Sequence, residues 1–187
     1  PPGAPVVRRR HLLAGLGRVG VLGGAGAVAT GGVPAALGGG DASESIRPVT
    51  LDTVDAPGSR DGEVTLPAPD RPTFIDFFAT WCGPCADQMP ALAEAHDRLG
   101  DEVLFVSVTT QNVGDVVSEE TIVDWWQKHD GDWLIAADTS LELFTRLGVD
   151  GFPSARAVDA TGRIRWADSG THTADEIVTG IGQALDP

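Results

Sequence analysis

Trp81-Cys82-Gly83-Pro84-Cys85 carries both cysteines of the chain, three residues apart, just after the apolar run Thr73-Phe74-Ile75-Asp76-Phe77-Phe78. That run reads as a central strand covered on both faces, and the residues beyond the cysteines take up a helical period. A thiol reacts as the thiolate, so a redox pair needs one sulfur whose charge is stabilised and a second within covalent reach. At a helix start the i and i+3 side chains share a face, which lets Cys82 and Cys85 close a disulfide across one turn. Cys82 stands at the mouth, where unpaired N–H groups and the helix dipole favour negative charge, and is the expected nucleophile. Pro84 suits the first helical turn, where its missing N–H is not needed, and Gly83 lets another chain's backbone approach closely. Cys85, one turn in, is expected to be the shielded resolving thiol.

Two blander readings compete. Zinc wants about four ligands, whereas one CxxC supplies two, with no second CxxC and only scattered histidines, so no metal site is expected. A structural disulfide closing so short a loop would restrict the unfolded chain little. Redox work is the reading these residues favour.

Asp76 alternates with Phe74 and Phe78, so it should point inward. A carboxylate there is expensive to ionise, which makes it a proton acceptor working near neutral pH, six residues before Cys82. The helix after Cys85 is expected to run to about Leu99, with Gly100 as its stop and a kink at Pro90. His96 falls on its buried stripe, but eleven helical residues put it about 16 Å from Cys85, so it reads as a packed histidine and not as a base.

The chain has 187 residues, room for one domain of ordinary size with a substantial core. Its net charge of −14, with Lys128 as its one lysine, argues against a surface for nucleic acid. So acidic and lysine-poor a surface resembles those of proteins from salt-loving organisms; an acidic protein of a GC-rich source is the plainer alternative.

Residues 1–40 do not read as part of the fold. Arg8-Arg9-Arg10 is followed by His11-Leu12-Leu13 and a weakly hydrophobic Gly/Ala/Val/Leu run, with no acid before Asp41. That is the layout of an export signal, and Arg9-Arg10-His11-Leu12-Leu13 looks like a twin-arginine motif. The run is long enough for a membrane anchor, although its glycines weaken helix and hydrophobicity alike. Ala27-Val28-Ala29 offers a small-residue cleavage site. Residues 41–48 read as a linker.

From Val49 onward a mixed α/β pattern is expected. Val49–Val54 and Glu63–Leu66 flank a turn-rich stretch and read as a hairpin at the sheet's edge. Glu102–Val108 is a second buried strand. Ser118 caps a helix to His129, Trp133–Ala136 forms a short strand, and Thr139-Ser140-Leu141-Glu142 is a capping-box pattern opening a helix that ends at Gly148. Trp125 and Trp126 are adjacent, so only one of them is expected to face the core. Ala155–Val158 and Arg163–Trp166 form a last strand pair joined through Asp159–Gly162, and Thr173-Ala174-Asp175-Glu176 caps a final helix to about Leu185.

Trp81–Cys85, Asp76, Pro90 five residues after Cys85, and Gly151-Phe152-Pro153-Ser154 before the last strand pair together resemble the thioredoxin superfamily, over residues 49–187. The inserted helix-strand segment between Val108 and Leu141, the N-terminal hairpin and the export signal look most like its extracytoplasmic TlpA/ResA-type thiol-disulfide oxidoreductases, although Asp76 is closer to cytoplasmic thioredoxins. The resemblance implies a central mixed β-sheet flanked by helices. It also implies catalytic roles: Cys82 attacks a substrate disulfide, Cys85 resolves the mixed disulfide, and Asp76 moves a proton to or from Cys85 through water. Pro153 would be a cis-proline facing the sulfurs, leaving Phe152's backbone free to pair with a substrate strand, with Trp81, Gly83 and Pro84 completing the substrate-binding surface. Two positions depart from the pattern. Ser154 stands where threonine is usual, and Arg156 stands where the strand is normally apolar. A buried guanidinium needs a partner, and Arg156 is expected to face Asp76 or the rim of the sheet.

The expected activity is therefore an exported protein-disulfide reductase. It would act outside the cytoplasmic membrane, secreted or anchored by its N-terminus, as a monomer and without a bound cofactor. Protein disulfides would be its substrates and a membrane thiol-electron carrier its reductant. Its rivals are a disulfide-donating oxidase of the same fold and a copper metallochaperone binding through Cys82 and Cys85. A peroxidase is disfavoured, because Ala79 stands where that chemistry would place a threonine.

Overall fold

The computed structural model describes residues 45–186. The export signal or anchor expected over residues 1–40 lies outside the described residues, as do residues 41–44 of the linker. The chain runs β1 (Val49–Thr53), β2 (Gly62–Leu66), β3 (Thr73–Phe78), α1 (Gly83–Leu99), β4 (Leu104–Thr109), α2 (Glu119–Lys128), β5 (Leu134–Ala137), α3 (Glu142–Arg146), β6 (Ser154–Val158), β7 (Ile164–Ser169) and α4 (Ala174–Leu185). All seven strands join one mixed sheet in the order β2-β1-β5-β4-β3-β6-β7, with β3, β4 and β5 parallel and the hairpin β1–β2 at the edge. This is the thioredoxin fold, with α2 and β5 forming the inserted segment.

Every residue of β3 is buried, because helices cover both faces of the sheet there. Phe74 and Phe78 pack with Cys85, Met89 and Leu92 of α1, Ile122 of α2 and Ile177 of α4, whereas Ile75 and Phe77 pack with Leu143 and Leu147 beside α3. Each large apolar side chain so enclosed contributes roughly 1.5–3 kcal/mol, and together they hold the end of β3, and with it the cysteine loop, in place. Residues 45–48, in the segment read as a linker, lie along the domain: Ile46 N–H donates to Gly162 O at 2.7 Å, and Arg146 Nη1 donates to the carbonyls of Arg47 and Pro48.

Several expectations need correction. Trp125 and Trp126 are both buried, the first stacked on Phe78 at 4.8 Å and the second with its Nε1–H donating to Pro57 O at 3.0 Å. Adjacent helical positions stand only about 100° apart, so Ile122, Trp125 and Trp126, at i, i+3 and i+4, share the one buried stripe of α2. The capping box expected at Thr139–Glu142 does not form. Leu141 is left-handed at φ 60°, and the Asp138 carboxylate instead accepts from the N–H groups of Glu142 and Phe144, at 3.0 and 2.8 Å. Gly100 does end α1, but at φ −61°; a Cβ there would lie 2.5 Å from the His96 ring, so closeness and not handedness calls for glycine. His96 itself packs against Phe105 and Trp133, and α1 runs unbroken past Pro90.

Arg156 does not face Asp76, although its Nη1 reaches the sheet's edge strand β7, donating to Asp168 O at 3.1 Å. In the antiparallel register it pairs with Ile75, and Asp76 with Ala155, so the guanidinium lies on the opposite face of the sheet from that carboxyl. It is buried and bonded to main-chain carbonyls.

Candidate active site

Cys82 is the N-cap of α1, in extended conformation at φ −86° and ψ 103°, and Gly83 and Pro84 make the first helical positions. The chain turns there because Cys82 N–H is held by Ala79 O at 3.0 Å and Pro84 brings a pre-set helical φ. Cys82 and Cys85 are joined in a disulfide with Cα atoms 5.3 Å apart. Cys85 N–H points at Cys82 Sγ at 3.2 Å, so a thiolate on Cys82 would receive this donor and the positive end of the helix. Cys85 is the more enclosed sulfur, 2% exposed against 6% for Cys82.

Beside this pair Trp81 stands out at 72% exposed, its ring edge-on to Phe152 at 5.8 Å. Phe152 in turn meets Phe144 of α3 at 5.6 Å, and the Phe152–Pro153 peptide bond is cis. Gly83 and Pro84 are exposed, with open space where a Gly83 side chain would go. Ser154 Oγ donates to Gly151 O at 2.8 Å, closing the turn that carries Phe152 and Pro153 into β6. The cysteine loop and the Phe152–Pro153 turn thus come together, although nearly seventy residues part them.

Asp76 is 3% exposed on the face of β3 that α1 covers. Burial pushes its carboxyl up from the ordinary 3.8 to about 7, and the hydrogen bond from Ser107 opposes part of that rise. Its side chain is bonded to Ser107.

Two supporting residues escaped the sequence reading. Ser107 is Asp76's partner in the β3–β4 register, and a small polar residue opposite an inward acid was the available signal. Gln111 clamps Thr80, accepting its N–H at 2.7 Å through Oε1 and donating to its Oγ1 at 3.0 Å through Nε2. Nothing in the sequence links positions 31 residues apart.

Among the described residues no three His, Cys, Asp or Glu side chains converge as a metal site. An open cleft of about 300 Å³ lined by Trp166, Asp168, His172 and the first turns of α4 includes none of the residues above. Cys82, Cys85, Asp76 and the Phe152–Pro153 turn are therefore the groups with chemistry to offer. They can pass two electrons and two protons between a dithiol and a disulfide.

A family model described as Redoxin matches residues 43–185. Among curated proteins, the chain is 36% identical over 53 residues to the chloroplastic thioredoxin Y of Oryza sativa subsp. japonica, covering 28% of this chain and 32% of that one. It is 26% identical over 107 residues to the thiol-disulfide oxidoreductase ResA of Geobacillus thermodenitrificans (strain NG80-2), covering 56% and 58%. The match thus spans about a third of the first relative's length and under two thirds of the second's. Of solved structures, StoA from Bacillus subtilis superposes with a TM-score of 0.59 at 18% identity, over 72% of this chain and 98% of that one, a likeness of fold.

Proposed function

Since the chain belongs to the Redoxin family, matching it over residues 43–185, we propose that it is a thiol-disulfide oxidoreductase that reduces disulfides of partner proteins outside the cytoplasmic membrane. The observation that carries this reading is Cys82 at the N-cap of α1, disulfide-bonded to Cys85 and offered its N–H.

In the reduced protein the Cys82 thiolate attacks one sulfur of the substrate disulfide. That S–S bond breaks, the leaving thiolate takes up a proton from solvent, and a mixed disulfide remains. Asp76, ionised above about pH 7, accepts the Cys85 proton through water. The Cys85 thiolate then attacks Cys82 Sγ, which releases the second substrate thiolate and closes the disulfide seen here. Two electrons have passed to the substrate, and a membrane thiol-electron carrier returns them. Trp81 and Phe152 supply the apolar contact for the incoming chain, which pairs its backbone with that of Phe152 beside Pro153.

Export rests on the twin-arginine pattern of residues 1–40, whose Gly/Ala/Val/Leu run serves as signal or anchor. Among the described residues no helix is long and apolar enough to cross a membrane.

The test is the equilibrium reduction potential of the Cys82–Cys85 pair, read from Trp81 fluorescence against thiol–disulfide buffers. A potential well below that of the glutathione pool is the expected outcome for a reductase. A strongly oxidising potential would overturn the direction of transfer and make the protein a disulfide donor.

A further inference from the structure

Arg156 is 5% exposed in the middle of a strand whose other residues are Ser154, Ala155, Ala157 and Val158, all buried. A buried guanidinium is held at a large desolvation cost unless its donors are satisfied, and here carbonyl oxygens satisfy them. Nε donates to Leu147 O at 3.0 Å and Nη2 to Gly148 O at 3.0 Å; Nη1 donates to Ala155 O at 2.8 Å and to Asp168 O at 3.1 Å. Burial lowers its pKa, with Asp150 and Asp168 opposing that, yet a guanidinium stays charged throughout the working range.

The four carbonyls belong to three pieces of chain. Ala155 lies in β6 and Asp168 in β7, whereas Leu147 and Gly148 follow α3 and begin the segment that leads to Phe152 and Pro153. The far end of that segment is fixed separately: Gly170 N–H donates to Pro153 O at 2.9 Å, and Ser154 and Ser169 share a hydrogen bond at 2.9 Å. Between these anchors the chain from Val149 to Phe152 is a short strut, and it carries the Phe152 ring between Phe144 and Trp81. An apolar side chain at position 156 would leave the buried Leu147 carbonyl without its donor, release that of Gly148, and free the strut to shift.

We propose that Arg156 is a positioning residue for partner capture, holding the Leu147–Pro153 segment so that the Phe152 backbone and ring meet a substrate chain beside Cys82. The proposal rests on the thiol-exchange reading. Arg156 lies on the sheet face away from Asp76, so it acts on docking of a polypeptide and leaves the proton and sulfur chemistry alone.

The experiment compares wild type, Arg156→Lys and Arg156→Met in their reduced forms against two probes. Insulin presents disulfides within a polypeptide, and 5,5′-dithiobis(2-nitrobenzoic acid) is a small disulfide that needs no backbone pairing. Lysine keeps the charge, but its compact ammonium does not fork across carbonyls on several segments; methionine keeps the bulk and removes the donors. The expected result is a KM for insulin raised about tenfold in both variants, on the scale of one or two lost hydrogen bonds. The rate with the small disulfide and the reduction potential should stay at the wild-type values. Amide hydrogen exchange should quicken across residues 148–152 and not in β3. An unchanged KM for insulin overturns the proposal, as does a parallel loss with both probes. A wild-type protein that leaves insulin disulfides intact overturns instead the exchange reading on which the proposal stands.

Discussion

Ser107 donates its hydroxyl proton to Asp76 Oδ2 at 3.2 Å, across the register pair of β3 and β4. Ser107 Oγ also accepts Trp133 Nε1–H at 2.9 Å. An indole N–H is donor only, so Trp133 commits an acceptor site of Ser107, and the hydroxyl's one proton is left for the carboxylate. Burial and this hydrogen bond therefore act on Asp76 in opposite senses, and burial is the larger.

The first consequence is a stability that falls as pH rises. In the unfolded chain Asp76 ionises near its ordinary 3.8, whereas the folded protein holds the proton up to about pH 7. The favourable contribution is fully present below pH 3.8 and is lost as pH rises through 7, a swing on the order of 4 kcal/mol. Asp76→Asn stays neutral throughout. Urea unfolding of the oxidised protein at pH 4.5 and pH 8 should show the variant gaining on wild type at the higher pH. An equal difference at both would mean that Asp76 is ionised when folded at both.

Removing the donor tests the other half of the balance. Ser107→Ala should move the Asp76 titration further up, because the charged form loses its hydrogen bond. It also strands the buried Trp133 N–H, so stability should drop by about 1–3 kcal/mol. The pH midpoint for resolution of the mixed disulfide by Cys85 should rise with the Asp76 pKa, as followed by stopped-flow Trp81 fluorescence. A midpoint that stays in place would separate Asp76 from the resolving step.

A third prediction follows from the burial of Trp126. A Cβ at Gly131 would lie 2.2 Å from that ring, which is fully enclosed and edge-on to Trp133 at 4.9 Å. Gly131→Ala must displace an indole held on all sides, and overpacking of this kind is destabilising by about 1–3 kcal/mol. The thermal midpoint should fall, and near-ultraviolet circular dichroism should report altered tryptophan packing. Wild-type stability in the variant would mean that the α2–β5 connection is free to move.

These residues also show where sequence reading succeeds. The strand β3 and the start of α1 were legible because four apolar residues in a run of six and a Cys-Gly-Pro-Cys turn declare themselves locally. Thr173 and Glu176 form their expected capping box for the same reason. Thr139-Ser140-Leu141-Glu142 carries an equally good pattern, yet Asp138 competes for the same N–H groups and wins them. Trp125 and Trp126 misled because adjacency suggests opposite sides of a helix, whereas Ile122, Trp125 and Trp126 at i, i+3 and i+4 share one apolar stripe. Arg156 misled because a charge in an apolar strand prompts a search for a carboxylate, whereas its partners are carbonyls that every residue possesses.

Gln111 offers a last test, one that separates position from charge. Its amide holds both the N–H and the hydroxyl of Thr80, the residue before Trp81. Gln111→Ala removes both contacts, so unfolding should come at lower urea by about 1–2 kcal/mol, and the anisotropy of Trp81 should fall as its loop loosens. In Gln111→Glu the carboxylate still accepts the Thr80 N–H, and the hydroxyl turns to donate, so the clamp and most of the stability should return. The new charge, however, lies near the N-terminus of α1, where it opposes a thiolate on Cys82. Alkylation of the reduced protein by iodoacetamide should therefore show a higher pH midpoint in Gln111→Glu than in wild type. If Gln111→Ala and Gln111→Glu lost stability equally, the two contacts to Thr80 would carry no weight. If alkylation were unmoved in Gln111→Glu, position 111 would lie outside the field felt by Cys82.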